Sequence, residues 1–247
     1  MIVRVTAAAL GLAAATMGVG ADKNAPLRTM TYAVDFTVRS SQTNHISALA
    51  PDANRAIGPG SSNIEEHGFT IDDSGTLQVV VVAATADGGL VTDVKYDGKQ
   101  THQPVIRVAI AKDGRLLYDP KQPLSEPAAR VLPLLARETF SKRELAAGIA
   151  WSEPAQAPAK GSTTYRVVTV AAPDVTVAVS ATLDVPGSAG FSEHEDGTLT
   201  FATDVLAPLR WDVLIHVMRT RVGGAETTDG HLTARLTGDT FPRRSKP

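Results

Sequence analysis

His67 follows Glu65 and Glu66 and comes shortly before Asp72 and Asp73, while His194 stands between Glu193 and Glu195. Carboxylate oxygens around an imidazole are a donor set that could hold a divalent cation. Neither stretch has the paired histidines of a helical zinc site or the spacing of an EF-hand loop. Both precede runs with strand character, so these acidic residues are expected to be solvated turn positions. Asp72/Asp73 and Glu193/Glu195 are also the carboxylate pairs that glycoside cleavage would require, but nothing in their spacing marks them for it. No G-x-S-x-G elbow is present, and no spacing joins the six histidines to a serine and an acid. The absence of cysteine removes thiol catalysis, disulfides, Cys-ligated zinc and iron–sulfur clusters together. Gly58-Pro59-Gly60-Ser61-Ser62 lacks the lysine and the following helix of a phosphate-binding loop. The expectation is a protein that is not an enzyme and uses no metal or other cofactor.

Formal net charge is −2, with 24 basic and 26 acidic residues. Such a balance, without interleaved basic and aromatic residues, excludes a nucleic-acid partner. Arg243, Arg244 and Lys246 form a short basic tail over residues 242–247, expected to be flexible. Residues 1–21 read as a secretory signal peptide: Arg4 is the positive start, Val5–Val19 is an uncharged Ala-rich run, and Gly18, Gly20 and Ala21 are small residues suited to cleavage. That run is too short and too poor in large apolar side chains for a span, which needs about 20 apolar residues. Nothing later resembles a span, so the mature protein is expected to be periplasmic or secreted, without a membrane anchor.

What must position any site is a set of strands. Val175, Val177, Val179, Ala181, Leu183 and Val185 alternate with Thr176, Ala178, Ser180, Thr182 and Asp184, a strand with one dry and one wet face. Pro173-Asp174 joins it to a strand at Thr163–Val170 as a hairpin. Met30–Arg39 alternates in the same way. Leu77–Thr85, Leu90–Tyr96, Val105–Ala111 and Arg115–Tyr118 follow as a meander, with Asp87-Gly88-Gly89 and Asp113-Gly114 as turns. Thr198–Asp204, Leu209–Met218 and His231–Leu236 complete about ten strands. Residues 40–74, rich in turn formers, are expected to be a long loop. A helix is expected over 125–139, with Ser125 as N-cap, Glu126 and Pro127 in its first turn, and Pro133 kinking or splitting it. A short second turn at Ser141–Gly148 is the alternative to an ordered loop there.

Hydrophobic residues make up 43% of the chain and aromatic ones 5%, so the core is expected to be aliphatic. The 209–218 strand is apolar on much of both faces. Its second face is either covered by the helix or lines a cavity. Trp211, Leu214 and Met218, with Leu132 and Leu135 from the helix, are therefore the candidate ligand-binding residues.

The order of these elements, with Gly148-Ile149-Ala150-Trp151 followed by Thr163-Thr164-Tyr165-Arg166-Val167, resembles secreted bacterial proteins with a G-x-x-W, then T-Y-x-V layout. Those are similar to the LolA/LppX superfamily, and the resemblance covers about residues 29–240. It implies a curved antiparallel sheet, an unclosed barrel, with helices over its concave side and lipid or lipoprotein acyl chains held there. The chain departs from the lipoprotein-like members in having no cysteine to acylate, and from the carriers in having fewer helices. The expected architecture is thus one α+β domain over 28–241, mostly β, with one or two helices packed on a curved, unclosed sheet. Its expected function is to bind an apolar, lipid-like ligand. The alternative is an envelope interaction or scaffolding module with a protein partner and a solid core.

Overall fold

A computed structural model describes residues 26–45, 64–136, 140, 144–155, 159–185, 190–221 and 224–241. The expected signal peptide and basic tail, and residues 141–143 of the possible turn at 141–148, lie outside the described residues; residues 144–148 are not helical and end in a turn at Ala147-Gly148. Eleven strands form one sheet: β1 (Arg28–His45), β2 (Ile64–Ala84), β3 (Leu90–Gly98), β4 (His102–Ile110), β5 (Leu116–Leu117), β6 (Ala150–Pro154), β7 (Lys160–Ala171), β8 (Asp174–Val185), β9 (Phe191–Ala202), β10 (Ala207–Arg221) and β11 (Gly224–Asp239). Their spatial order is β5-β4-β3-β2-β1-β11-β10-β9-β8-β7-β6, and all pairings are antiparallel.

This order is a ring of sequence neighbours with one link missing. Each strand pairs with the next along the chain, and β11 returns to pair with β1. Only β5 and β6 do not meet, so they are the two edges. The stretch between them carries α1 (Glu126–Val131) and a 3-10 turn (Leu132–Leu135). Pro133 splits the expected 125–139 helix here, because its ring and missing N–H end the α-helical ladder.

The sheet curls around this helical segment. The 3-10 turn touches both β4 and β10, which stand five strand positions apart, about 24 Å across a flat sheet at about 4.8 Å per strand. A helix about 10 Å thick bridges them only if the sheet is strongly curved. Burial says the same. Pro127, Ala128, Arg130, Val131, Leu132, Leu134 and Leu135 are all buried, so the segment is enclosed on nearly every side rather than laid on a surface by one stripe.

The alternating strands place their apolar sets inward as expected. Tyr32, Val34, Leu77, Val79, Val94, Val108, Val177, Leu199, Trp211, Val213 and Leu232 belong to one continuous core with the helix. Gly88 and Gly114 supply the left-handed conformation (φ 93° and 85°) that the two meander turns demand.

The expected loop at 40–74 is strand at both of its ends, and residues 46–63 lie outside the described residues. Ser40–His45 and Ile64–Ser74 extend β1 and β2 into a long ladder in unbroken register, His45 opposite Ile64. This arm is polar on both faces over much of its length, so no period-two pattern reveals it, and the backbone hydrogen bonds set its conformation. Asp73, expected to be solvated, is buried inside the sheet. Its Oδ1 accepts from the Gln100 N–H at 2.9 Å and its Oδ2 from the Thr101 N–H at 3.1 Å, fastening the β3–β4 turn. Two glycines make room: Gly75 lies opposite Gly98, and a Cβ on Gly75 would meet the Asp97 carbonyl oxygen at 2.3 Å.

At the far end of the sheet a clasp ties the outermost turns of β1 and β11. Arg28 Nε donates to Asp239 Oδ1 at 3.0 Å, and its Nη1 donates to the Val205 carbonyl at 2.7 Å. The Phe241 ring covers the guanidinium at 4.8 Å. Tyr32 is wholly buried beneath, and burial pushes its phenol far above the ordinary tyrosine range, with Arg28 pulling it back and Asp239 adding to the rise.

Two outcomes follow. Gly75→Ala should lower stability by about 1–3 kcal/mol through overpacking. Gly230→Ala, whose Cβ would meet nothing nearer than 3.5 Å, should change it little. Denaturant unfolding of the two variants side by side checks this contrast. For Tyr32, the unfolded phenol ionises near pH 10 and the folded one well above it, so the folded state loses stability as pH rises beyond about 10. The 295 nm tyrosinate absorbance should then show a component that appears only with alkaline unfolding.

Candidate functional site

The concave interior is the one large apolar environment of the described structure, and the helical segment fills it. Leu132 and Leu135 are buried there, as is Trp211 on the inward face of β10. Gly197 on β9, opposite Val213, makes room for the indole: a Cβ there would come within 3.1 Å of the Trp211 ring. The Trp211 Nε1 hydrogen is buried without a hydrogen-bond partner, an uncompensated cost that a ligand acceptor or a water could relieve.

Leu214 and Met218 are not part of this set. They point to the opposite, convex face and are 60% and 44% exposed. Strand alternation requires it, because even-numbered positions on β10 face away from Trp211. The helix covers the Trp211 side, so the second apolar face of this strand is neither packed under the helix nor a cavity wall. The candidate set thus divides into Trp211, Leu132 and Leu135 inside and Leu214 and Met218 outside.

A second interior feature went unread in the sequence. Glu193 and Glu195 are not in a solvated turn. They are inward positions of β9, buried together with Arg130 of α1. Arg130 Nε donates to Glu126 Oε1 at 2.6 Å, and its Nη1 faces the carboxylates of Glu193 and Glu195. Burial works against the guanidinium's charge, but Glu126 and Glu193 outweigh it and hold the group above its ordinary value. Removing the partner from ions taken out of water is far costlier than exchanging the whole group for apolar side chains. This cluster therefore pins the orientation of α1 on β9. The alternation Glu193-His194-Glu195-Asp196 was the available signal, since it places both glutamates on one face of a strand.

Beside the helix, Phe140 stacks on Phe201 at 4.4 Å and meets Trp151 and Tyr165 edge-on, each at 5.9 Å. Trp151 and Tyr165 stack on each other at 5.2 Å, across the β6–β7 pairing. These rings close the interior at the β6 edge. At the other edge, β5 covers only Ala109 and Ile110 of β4. From His102 to Val108 that strand has no outer strand partner among the described residues. Pro104 and a break in register blunt it.

Among the described residues, no group of three or more His, Asp or Glu side chains is arranged to hold a metal ion. His67 lies on β2, where its side chain is outside the described residues. No helix among the described residues is long and apolar enough to cross a membrane.

No family model and no curated protein matches the sequence. Among solved structures, a chain described as "lipid-protein interactions in lipovitellin" is similar to it with a TM-score of 0.47 and 11% identity. The match covers 90% of this chain but 26% of that one, so this chain spans about a quarter of its length. The class defined by the coordinates themselves is a mostly β, single-sheet, unclosed antiparallel barrel whose interior holds a helical plug.

The buried ion cluster gives a direct test of what holds the plug. Arg130→Met should cost about 3–5 kcal/mol by leaving carboxylates buried without their cation. Adding Glu193→Leu and Glu195→Leu to Arg130→Met should restore most of it. Chemical denaturation of the single and triple variants distinguishes the two outcomes.

Proposed function

We propose that this is an exported protein that binds an apolar, lipid-like ligand between the helical plug and the concave face of the sheet. The observation that carries the reading is the missing β5–β6 link: the apolar interior is closed by ten helical residues, Glu126–Leu135, and not by a strand. A strand closure would have to break a ladder of backbone hydrogen bonds to admit anything. The plug is short, split at Pro133, and held by side chains, so its shift away from the concave face to admit a ligand leaves the sheet intact. The magnitudes allow it. Each buried methylene is worth about 0.8 kcal/mol, so an acyl chain of about a dozen methylenes contributes about 10 kcal/mol, a sum on the scale of a whole domain's stability, about 5–15 kcal/mol. The resemblance to the LolA/LppX superfamily supports the same reading, and the leader-like run at residues 1–21 supports the export part of it, to the periplasm or outside the cell.

A second reading rests on a specific observation. Trp211, Leu132, Leu135, Val213 and Leu232 are all at most 4% exposed, as in a solid core. A scaffolding or interaction module with a protein partner in the envelope would have this interior. The two readings part on one experiment. A Trp151→Phe variant leaves Trp211 as the sole indole and reports on the interior alone. If the interior takes a ligand, a fluorescent fatty-acid probe should bind, dodecanoate should displace it, and the Trp211 emission should shift on binding. Native mass spectrometry of protein from its own envelope should carry a lipid adduct. A bare mass together with an unresponsive Trp211 would defeat the ligand reading and leave the scaffold.

A further inference from the structure

The convex face of β9 and β10 carries residues that neither the plug nor the interior uses. His194 and His216 are directly opposite each other in the β9–β10 register, and both point outward. Directly opposed side chains on antiparallel strands have their Cβ atoms about 4.5–5.5 Å apart, close enough for two imidazoles to reach one ion between them. Met218 follows on the same face of β10, two residues beyond His216, and is 44% exposed. Two residues along a strand is about 6.6 Å, within reach of a long, flexible side chain.

Each ring already has one nitrogen occupied by a carboxylate. His216 Nδ1 pairs with Asp229 Oδ1 at 2.7 Å, which leaves Nε2 open. His194 Nε2 pairs with Asp196 Oδ2 at 2.6 Å, which leaves Nδ1 open. A carboxylate on the far nitrogen is how metal-binding histidines are oriented and made more basic. The two aspartates also put negative charge against the two rings.

We infer that His194, His216 and Met218 form a surface site for a copper ion, in the Cu(I) state. Imidazole suits several first-row metals, but a thioether is a soft donor that hard cations such as Mg²⁺ and Ca²⁺ do not take and that Cu(I) favours. In a chain with no cysteine, the four methionines are the only sulfur donors, and Met218 stands on the face that carries the opposed histidine pair. His231 is the neighbouring histidine on this face and has the same kind of carboxylate contact, from Asp212 at 2.9 Å, but it stands opposite Leu214 rather than another histidine. It is the internal control. The site binds the ion without a redox step, and it is independent of what the concave face does.

The test is competition for Cu(I) against bicinchoninate, with ascorbate and without oxygen, on the full chain, with far-UV circular dichroism to establish that every variant is folded. The wild-type chain should withdraw one Cu(I) from the chelator. His194→Ala and His216→Ala should each weaken Cu(I) uptake by more than about tenfold, and Asp229→Asn by about tenfold through the lost orientation of His216. Met218→Leu should weaken Cu(I) while leaving Zn(II) binding, measured by calorimetry, unchanged. His231→Ala should alter neither. No Cu(I) uptake by the wild type, uptake unaffected by Met218→Leu, or an equal loss in His231→Ala and His216→Ala would each overturn the assignment.

Discussion

The structure depends on one absent pairing. Every strand of this meander hydrogen-bonds to its sequence neighbours, and β11 bonds back to β1, except that β5 never meets β6. The strand ladders make the sheet curl, because twisted strands in this number close on themselves unless something stands between their edges. What stands there is the helical segment, which lies in the interior against β3, β4, β10 and β11. A closed barrel would have no edges and a fixed lumen. This one keeps two edges, blunted by a two-residue β5, by Pro104 and by Pro154, and an interior whose contents are side chains of a separable element.

Polar groups set where the plug sits. Apolar contacts hold α1 inside but fix neither its depth nor its rotation, since leucine and valine pack acceptably in several registers. The Arg130 cluster has one arrangement in which its charges compensate one another. Gln103 Oε1 adds a contact at the start of the helix, accepting from the Ser125 N–H at 2.5 Å. The expected Ser125 side-chain cap is not made, and the sheet supplies a partner to that end of the helix instead.

Much of the fold was legible. The period-two runs at 30–39, 90–96, 175–185 and 209–218 announced strands, and the Asp-Gly turns announced their connections, because both signals are local. Pro133 announced the split in the helix for the same reason. The arm formed by the ends of β1 and β2 was illegible, since a ladder with polar residues on both faces leaves no pattern. Of the candidate site, Trp211, Leu132 and Leu135 do share the interior. Grouping Leu214 and Met218 with Trp211 joined opposite faces of one strand, although alternation separates them.

By itself the sequence determined what depends on near neighbours: strand character, turn chemistry, the lack of cysteine chemistry, and which side chains of each strand share a face; the expected aliphatic core is only mostly so, since Tyr32, Tyr96, Phe140, Phe201 and Trp211 are buried in it. Only the tertiary structure decided which of those faces look at one another. Glu193 and Glu195 acquire a role only when Arg130 arrives from 63 and 65 residues away in the chain. His194 becomes the partner of His216 only through the β9–β10 register. Long-range pairing is fixed by the summed burial and hydrogen bonding of whole strands, and no single stretch of residues carries that sum.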